Sequence, residues 1–292
     1  MDHPLIAADA VDSLFALLKE TKADRPSDWY QPSTMQRAFH KSTHIIRGMF
    51  PGNGAGKTTA MGIEANWWVR HKHPWQAIPP WPIVAIWICP QFRQFEILKP
   101  QLESECLDAG WTWNGSDNFY RWADDAHLWI LPADRDWTYV QGINPDIVFA
   151  DEEPPLKLWR EMLQRRRGKR KTRFVVGATA TQGVSWMESE IFKPWVEHHQ
   201  GLGLDPERAL EVQSHPHLWV WDRGGIRDNP GASTEDVEWY ETRTWSSAKE
   251  RKVRLKGGFE NWAGDSVFDQ AGVDWLRERV KKGELGWLEL KK

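Results

Sequence analysis

Pro51-Gly52-Asn53-Gly54-Ala55-Gly56-Lys57-Thr58-Thr59 is the segment on which the fold assignment depends. The residues before it, 44–50 (HIIRGMF), predict a short buried strand, and residues 58–70 lack proline and predict a helix. A glycine-rich turn that ends in Gly-Lys-Thr between a strand and a helix is typical of a phosphate-binding loop. Glycine permits the backbone angles at which successive N–H groups point at one anion, and the helix N-terminus adds its own free N–H groups. We therefore predict that Gly52 to Thr59 bind nucleotide phosphates, with Lys57 on the β- and γ-phosphates and the Thr58 hydroxyl on Mg²⁺.

A second motif, residues 146–155 (DIVFADEEPP), is an apolar strand that ends in acidic residues. Such a strand delivers carboxylates to the C-terminal edge of a parallel sheet, where ligands bind in open α/β folds. Asp151 is the candidate that holds Mg²⁺ opposite Thr58, and Glu152 is the candidate general base that polarises the attacking water. Each motif alone also occurs as plain structure, as a surface turn or an acidic turn after a strand. Together they complete one site and predict an ATPase.

Composition is that of a soluble globular protein. The chain has 292 residues, of which 40% are hydrophobic and 27% charged, enough for one large α/β core with or without a smaller subdomain. A net charge of −3 gives no overall attraction to nucleic acid, so any such contact needs a local patch. Two cysteines without paired spacing exclude a multi-bridge disulfide framework and suit a reducing cytoplasm. No apolar run approaches the roughly 20 residues that span a bilayer, and the N-terminus does not resemble a signal peptide, so no membrane partner is expected.

Strand and helix signals alternate along the chain, which predicts a mostly parallel central sheet flanked by helices. Apolar runs predict further strands at residues 81–89, 127–131 and 173–177. Helical spacing occurs at residues 10–21, 92–109 and 236–255. Pro100 is expected to interrupt the second of these helices, and Ser233 or Thr234 is expected to cap the third. Residues 110–125 give no prediction.

Three further features have both a functional and a plain interpretation. The Gln36 carboxamide can donate to and accept from an adenine ring, but a glutamine on a short helix is more often solvated. The small residues Thr179-Ala180-Thr181 follow a predicted strand and could sense the γ-phosphate, or form an ordinary turn. The basic run at residues 165–173 could be a solvated face, a DNA-backbone contact or the source of an arginine for a neighbouring subunit.

The order of these motifs resembles the ATPase domain of tailed-phage large terminases, which pull DNA into preformed capsids. The resemblance rests on Gln36, the loop at 51–58, the DEEPP string at 151–155 and the TATQG string at 179–183, and it extends to Asp228-Asn-Pro and to residues 254–268. It implies a P-loop NTPase of the additional-strand, RecA-like class with a small lid subdomain. It also implies that Gln36 reads adenine, that Thr179, Ala180 and Thr181 couple hydrolysis to movement, and that the cofactors are ATP and Mg²⁺.

The resemblance further implies domains, partners and location. Residues 1–200 would form the N-terminal helix and ATPase core, and residues 201–292 a lid subdomain with a C-terminal linker. The expected partners are double-stranded DNA, the portal of the procapsid, the small terminase subunit and further copies of the chain in a ring. The expected location is the cytoplasm of an infected bacterial host. Because fewer than about 30 residues follow Phe268, too few for a nuclease domain, DNA cleavage is not expected from this chain.

Two positions depart from the family pattern, and other functions stay open. Pro51 replaces the glycine that usually opens the loop, and Gly54 stands where many members carry an arginine. A helicase-type ATPase would need a second core of similar size, and a small-molecule kinase would need an acceptor site that is not recognisable here. A nucleotide-dependent binding switch is the alternative from another class, and DNA-stimulated turnover would separate it from a motor.

Overall fold

The computed structural model describes residues 8–134, 142–166, 171–180, 185–245 and 247–259. Within them, eight strands form one sheet: β1 (Ile46–Met49), β2 (Val84–Cys89), β3 (Thr112–Asn114), β4 (Phe119–Arg121), β5 (His127–Pro132), β6 (Ile147–Asp151), β7 (Arg173–Gly177) and β8 (Leu218–Trp221). The α-helices are α1 (Ala8–Asp24), α2 (Pro26–Trp29), α3 (Thr34–Lys41), α4 (Lys57–Val69), α5 (Phe92–Glu105), α6 (Leu156–Leu163), α7 (Lys193–Gly201), α8 (Pro206–Val212), α9 (Thr234–Thr242) and α10 (Ala248–Lys256).

The sheet has the strand order β3-β4-β5-β2-β6-β7-β1-β8. The strands from β5 to β8 in this order are parallel, and the β3–β4 hairpin adds an antiparallel edge. β7 lies between β1, which precedes the glycine-rich loop, and β6, which carries the acidic residues; this is the arrangement that the term additional-strand describes. The predicted α/β fold with a mostly parallel sheet is confirmed.

Hydrophobic side chains cover both faces of the sheet. Along β2, Ala85, Trp87 and Cys89 point into one buried cluster, and Ile86 and Ile88 into the other. The first cluster is closed by α3, α4 and α5, and the second by α6 and α7. Because both faces of the sheet are buried, the sequences of these strands are continuous apolar runs rather than alternating apolar and polar residues.

Several elements differ from the sequence predictions. α5 continues through Pro100, which lies on the exposed side of the helix, so its missing N–H is not a buried loss. The helix predicted over residues 236–255 is two helices, because Ser247 caps α10 separately by accepting a hydrogen bond from the N–H of Glu250. Residues 110–125, which gave no prediction, contain the β3–β4 hairpin, and Ser233 is the cap of α9.

β8 follows the predicted domain boundary at residue 200, yet it pairs with β1 in the central sheet. Residues 218–221 therefore belong to the core sheet, while the division into core and lid itself stays a prediction. Residues 260–292, including Phe268 and the predicted linker, lie outside the described residues. Across the described part of the chain, no helix combines the length and apolar character needed to cross a membrane.

Candidate active site

The glycine-rich loop connects β1 to α4 at the C-terminal edge of the parallel strands. Gly54 (φ 72°) and Gly56 (φ 82°) adopt the left-handed conformation that favours glycine. The first hydrogen bond of α4 runs from the N–H of Ala60 to the carbonyl of Gly56, at 3.0 Å. The N–H groups of the preceding residues 57–59 thus have no partner within the helix, and the positive end of the helix dipole lies at the loop. This is the local geometry of an anion site, and it forms with Pro51 in place of glycine.

Lys57 lies inside this loop rather than on the surface. Its Nζ donates to the hydroxyl of Thr179 at 2.8 Å and to the carbonyls of Gly52 and Pro51 at 3.1 and 3.3 Å. Burial lowers the pKa of Lys57, and the negative charges of Glu152 and Asp151 oppose that shift. The ammonium is therefore held by neutral oxygens in a dry setting, where its attraction to an anion is less screened than in water.

The acidic end of β6 meets the start of α4. The Thr58 hydroxyl donates to Oδ1 of Asp151 at 3.1 Å. Glu152 has φ 69°, unusual for a residue with a side chain, and its N–H donates to the carbonyl of Gly177 at 2.9 Å. Its Oε2 accepts the N–H of Thr179 at 3.3 Å. This left-handed turn directs the carboxylate of Glu152 toward Thr179, whose hydroxyl accepts a hydrogen bond from Lys57.

Both carboxyl groups have raised pKa values. Burial, followed by the neighbouring charge of Glu152, raises the pKa of Asp151 to about 7. Burial also raises the pKa of Glu152, while Lys57 opposes the shift. Two adjacent acids in a dry site favour a cation, and hydroxyl and carboxylate oxygens are the ligands that Mg²⁺ prefers. The side chains of Thr58 and Asp151 therefore fit a magnesium ion.

Thr179 follows β7, the strand that lies between β1 and β6. Because parallel strands end at the same edge, Thr179, two residues after the end of β7, falls between the loop and the carboxylates. Ala180 is buried next to it. Thr181, the third residue of the predicted coupling segment, lies outside the described residues. Glu153, the third acid of the motif, accepts a hydrogen bond from the hydroxyl of Ser185 at 2.8 Å.

A cavity of about 370 Å³, a size suited to a small ligand, lies between the glycine-rich loop, Glu152 and Thr179. It is lined by Asn53, Gly54, Gly56, Lys57, Thr58, Thr59, Gln101, Glu152, Thr179 and Asn229. A larger neighbouring cavity of about 780 Å³ lies on the other side of Ala55, between the start of α3, residues 221–228 and α10. The loop contributes to the walls of both cavities, through Ala55 in the larger one and through its other residues in the smaller one.

Gln36 lies against the loop instead of facing an open surface. Its side chain is 2% exposed, its Nε2 donates to the carbonyl of Gly56 at 2.9 Å, and its Oε1 accepts the N–H of Ser33 at 2.8 Å. Nε2 keeps a second N–H and Oε1 a second lone pair, and Gln36 also lines a cavity of about 390 Å³, so adenine reading by Gln36 stays a prediction. Asn229 makes a comparable contact, from Nδ2 to the carbonyl of Gly54 at 2.8 Å. Sequence reasoning assigned no role to Asn229; the Asp228-Asn-Pro string was its only signal.

Gly54, where the family often carries arginine, has little room for a side chain. A Cβ at this position would lie 2.9 Å from Cβ and Cγ1 of Ile226, and the positive φ adds strain. Ile226 therefore occupies the space that the side chain of an arginine at position 54 would need.

The three described arginines of the basic run each contact another part of the chain. Arg165 pairs with Glu161 at 2.8 Å, and Arg166 donates to the carbonyl of Thr172 at 3.3 Å. Arg173 lies over the ring of Trp68. Residues 167–170 lie outside the described residues, so a DNA or inter-subunit role for this run stays a prediction.

A second group of titratable side chains lies behind α4, around the fully buried carboxylate of Glu64. Oε1 accepts from Arg47 at 2.6 Å and from the indole of Trp68 at 3.1 Å, while Oε2 contacts His40 at 2.6 Å and His73 at 3.1 Å. Burial alone would raise the pKa of Glu64, but the charge of Arg47 and the histidine hydrogen bonds hold it well below its usual value.

The spacing of His40, Glu64 and His73 would also suit a metal ion, but the hydrogen bonds oppose it. Nδ1 of His73 accepts the N–H groups of Trp75 and Gln76, so its Nε2 carries the proton that faces Glu64. A protonated Nε2 cannot ligate a metal, and the cation of Arg47 would repel one. The group is a buried carboxylate with four hydrogen-bond contacts, and it stabilises the junction of α3, α4 and β1.

Comparison with models of protein families yields no match, and neither does comparison with curated protein sequences. Solved structures do match. The large-terminase ATPase domain of Thermus phage P74-26 aligns with a TM-score of 0.57 and 19% identity, covering 79% of this chain and 95% of that one. A large terminase from a thermophilic bacteriophage, solved in complex with ADP, aligns with a TM-score of 0.51 and 13% identity, covering 80% of this chain and 52% of that one.

The chain has the fold of phage large-terminase ATPase domains. At these low identities the likeness concerns the fold, and the roles of individual residues stay predictions. The terminase-like fold agrees with the family resemblance that the motifs carry. The two rest on different observations, the fold on strand order and the resemblance on short strings of residues.

Proposed function

We propose that this chain is the ATP-hydrolysing motor domain of a phage large terminase. The observation that carries the proposal is the 3.1 Å contact between the Thr58 hydroxyl and Asp151, which joins the two distant motifs at one sheet edge. A glycine-rich turn or an acidic turn alone occurs in many proteins, but their meeting beside a buried lysine is what nucleotide hydrolysis requires.

In the proposed reaction, water attacks the γ-phosphate of ATP in line with the departing ADP. The loop N–H groups and Lys57 bind the phosphate oxygens, and Lys57 balances the negative charge that develops on them. Thr58 and Asp151 would hold Mg²⁺, which would supply positive charge to the phosphates. Glu152 orients the water and accepts its proton; burial raises the pKa of this carboxyl, which makes its carboxylate a stronger base.

Movement would start at the residues that follow β7. Thr179 contacts Lys57 through its hydroxyl and Glu152 through its N–H, so a change at the γ-phosphate reaches it from two sides. We assign Thr179, Ala180 and Thr181 the coupling of hydrolysis to translocation of double-stranded DNA. The proposed partners are the portal of the procapsid, the small terminase subunit and further copies of this chain in a ring, in the cytoplasm of an infected bacterium.

The test is the rate of ATP hydrolysis by the chain alone, with double-stranded DNA, and with a procapsid that carries its portal. Because Gly54 leaves the loop without an arginine, a neighbouring subunit would supply one, so turnover should rise on assembly by a factor on the order of 10³ or more. ATP binding without stimulation by DNA or procapsid would instead favour a nucleotide-dependent binding switch. No ATP binding in any state would refute the proposal.

A further inference from the structure

A further cavity, of about 430 Å³, lies at the edge of the sheet opposite the glycine-rich loop. Ile45 precedes β1, Asp146 precedes β6 and Arg173 begins β7, and all three line this cavity. Because these strands are parallel, their first residues lie at one edge of the sheet and the loop lies at the other. Asp146, just before β6, and Asp151, at its end, are roughly 16 Å apart at about 3.3 Å per residue. The cavity is therefore separate from the proposed ATP site.

Three cations line this cavity, which we call the basic cavity: Arg166, Lys171 and Arg173. Nη1 of Arg166 donates to the carbonyl of Thr172 at 3.3 Å, and Nη1 of Arg173 donates to Oε1 of Gln76. Among the described residues, the Lys171 ammonium has no hydrogen-bond partner, and no acid forms an ion pair with any of the three cations. A guanidinium carries more N–H donors than these contacts use, so the basic cavity has donors to offer a ligand.

Little negative charge lies in the basic cavity to balance them. Asp146 is the one acid among the described residues that line it. Both oxygens of this carboxylate accept from neutral N–H groups, the indole of Trp81 and the main chain of Val84, each at 2.9 Å. The lining therefore carries a net positive charge.

The charges around Arg173 show the same imbalance. Burial is the main cause that lowers the pKa of Arg173, to about 10. The charges of Arg47 and Arg166 add to this effect, while Glu64 opposes it. The guanidinium still carries its charge at neutral pH, so the cations repel one another there, and a bound anion would relieve that repulsion.

Two tryptophans complete the wall of the basic cavity. The guanidinium of Arg173 lies over the ring of Trp68, with Cζ 5.2 Å from the ring centroid, and this contact fixes its orientation. The indole N–H of Trp68 donates to Glu64 at 3.1 Å, and that of Trp81 donates to Asp146 at 2.9 Å. Since both indole N–H groups are bonded, the rings offer a ligand apolar contact rather than hydrogen bonds to a base.

We propose that the basic cavity is a second phosphate-binding site, and that it takes a backbone phosphate of DNA. The inference rests on the proposed motor function and deepens it by naming a surface that the DNA contacts. The fork of a guanidinium matches the oxygens of a phosphate, an ammonium adds a point charge, and a tryptophan ring packs on a sugar. Contacts to phosphate and sugar do not depend on the base sequence, as a chain that moves along any DNA requires.

The test removes the charges step by step. Lys171→Gln removes an exposed ammonium that has no partner among the described residues, so this variant should fold like the parent. Lys171→Gln combined with Arg166→Gln removes two charges, whereas Lys171→Arg combined with Arg166→Lys keeps both. Lys19→Gln, which changes an exposed lysine of α1 outside the basic cavity, is the matched control.

Binding of short fluorescein-labelled duplexes of two unrelated sequences is measured by anisotropy over a range of salt concentrations. Each removed cation should weaken binding of both duplexes by roughly 10-fold at about 0.1 M salt, and should make the slope of log affinity against log salt shallower by about 0.9. The variant that keeps both charges and the control should bind like the parent. Mg-ATP affinity, measured by calorimetry, should be the same in every variant, because the two sites lie at opposite edges of the sheet.

A second measurement locates the contact on the parent chain. Lysine side chains are acetylated with acetic anhydride and mapped by mass spectrometry, alone and with duplex or magnesium tripolyphosphate. The duplex should shield Lys171 and leave Lys19 reactive, because only Lys171 would lie against a phosphate of the DNA.

Several results would overturn the inference. If the variant without both charges binds duplex like the parent, or if Lys19→Gln weakens binding as much, the basic cavity is not the DNA contact. If tripolyphosphate shields Lys171 and the duplex does not, the cavity binds free phosphates instead. A parent that binds ATP but no duplex refutes the DNA site alone. A parent that binds no ATP, while loss of the two charges still weakens DNA binding, refutes the motor function and leaves the DNA site standing.

Discussion

Replacing Asp151 by asparagine is expected to stabilise the folded chain while it abolishes magnesium-dependent nucleotide binding. Burial, and then the charge of Glu152, raise the pKa of Asp151 from 3.8 to about 7. A carboxyl whose pKa is higher in the folded than in the unfolded chain holds its proton more tightly when folded, so its ionised form destabilises the fold. Asparagine has nearly the same shape, carries no charge and still accepts from the Thr58 hydroxyl.

The magnitude follows from the difference between the two pKa values. A shift from 3.8 to about 7 corresponds to about 4 kcal/mol at pH 8, at 1.36 kcal/mol per pH unit. The destabilisation is fully present above pH 7 and disappears as the pH falls toward 4, where the carboxyl is protonated in both states. Because the charge of Glu152 is part of the cause, the gain from Asp151→Asn should be smaller when Glu152→Gln is also present.

The assay is urea unfolding at pH 8, 6 and 4.5 without nucleotide. The free energies of unfolding of the parent, Asp151→Asn and the exposed control Asp134→Asn are compared, and the control should stay within about 0.5 kcal/mol of the parent. With Mg-ATP added, the parent should gain stability and Asp151→Asn should not. If Asp151→Asn is no more stable than the parent at pH 8, or if its gain does not shrink as the pH falls, the assigned cause of the pKa shift is wrong.

Three further substitutions test the rest of the site and its support. Lys57→Ala should abolish ATP binding in calorimetry, since it removes the buried cation; binding at parental affinity would contradict the role of the lysine. Glu152→Gln should bind ATP and hydrolyse it at least about 100-fold more slowly in a phosphate-release assay, and a parental rate would show that another group is the base. Glu64→Ala should lower the free energy of unfolding by about 3–5 kcal/mol, because it leaves the buried guanidinium of Arg47 without its carboxylate. A loss below about 1 kcal/mol would show that water or a shift of the chain replaces that carboxylate.

Patterns that depend on neighbouring residues were predictable from the sequence. The run at residues 81–89 is apolar because β2 is covered on both faces, so its strand follows from composition alone. The turn at 51–58 and the helix after it were predictable because its glycines adopt backbone angles that other residues avoid; phosphate binding by this loop stays a prediction. Local signals failed at Pro100, which lies within a helix whose exposed side tolerates it. The apolar run at residues 218–221 was not predicted as a strand, and only the structure shows that it joins the core sheet by pairing with β1.

The fold class was predictable from the residues alone. The proposed chemistry rests on residues that the sequence itself shows: a lysine and a threonine after a glycine-rich turn, and two acids after a strand. Which atoms meet is a property of the folded chain. The strand order places β7 between β1 and β6, and so brings Thr179 between Lys57 and Glu152. Contacts of this kind join residues far apart in the chain, and no periodicity or spacing encodes them, because they depend on how the sheet is ordered and how the chain returns over the loop.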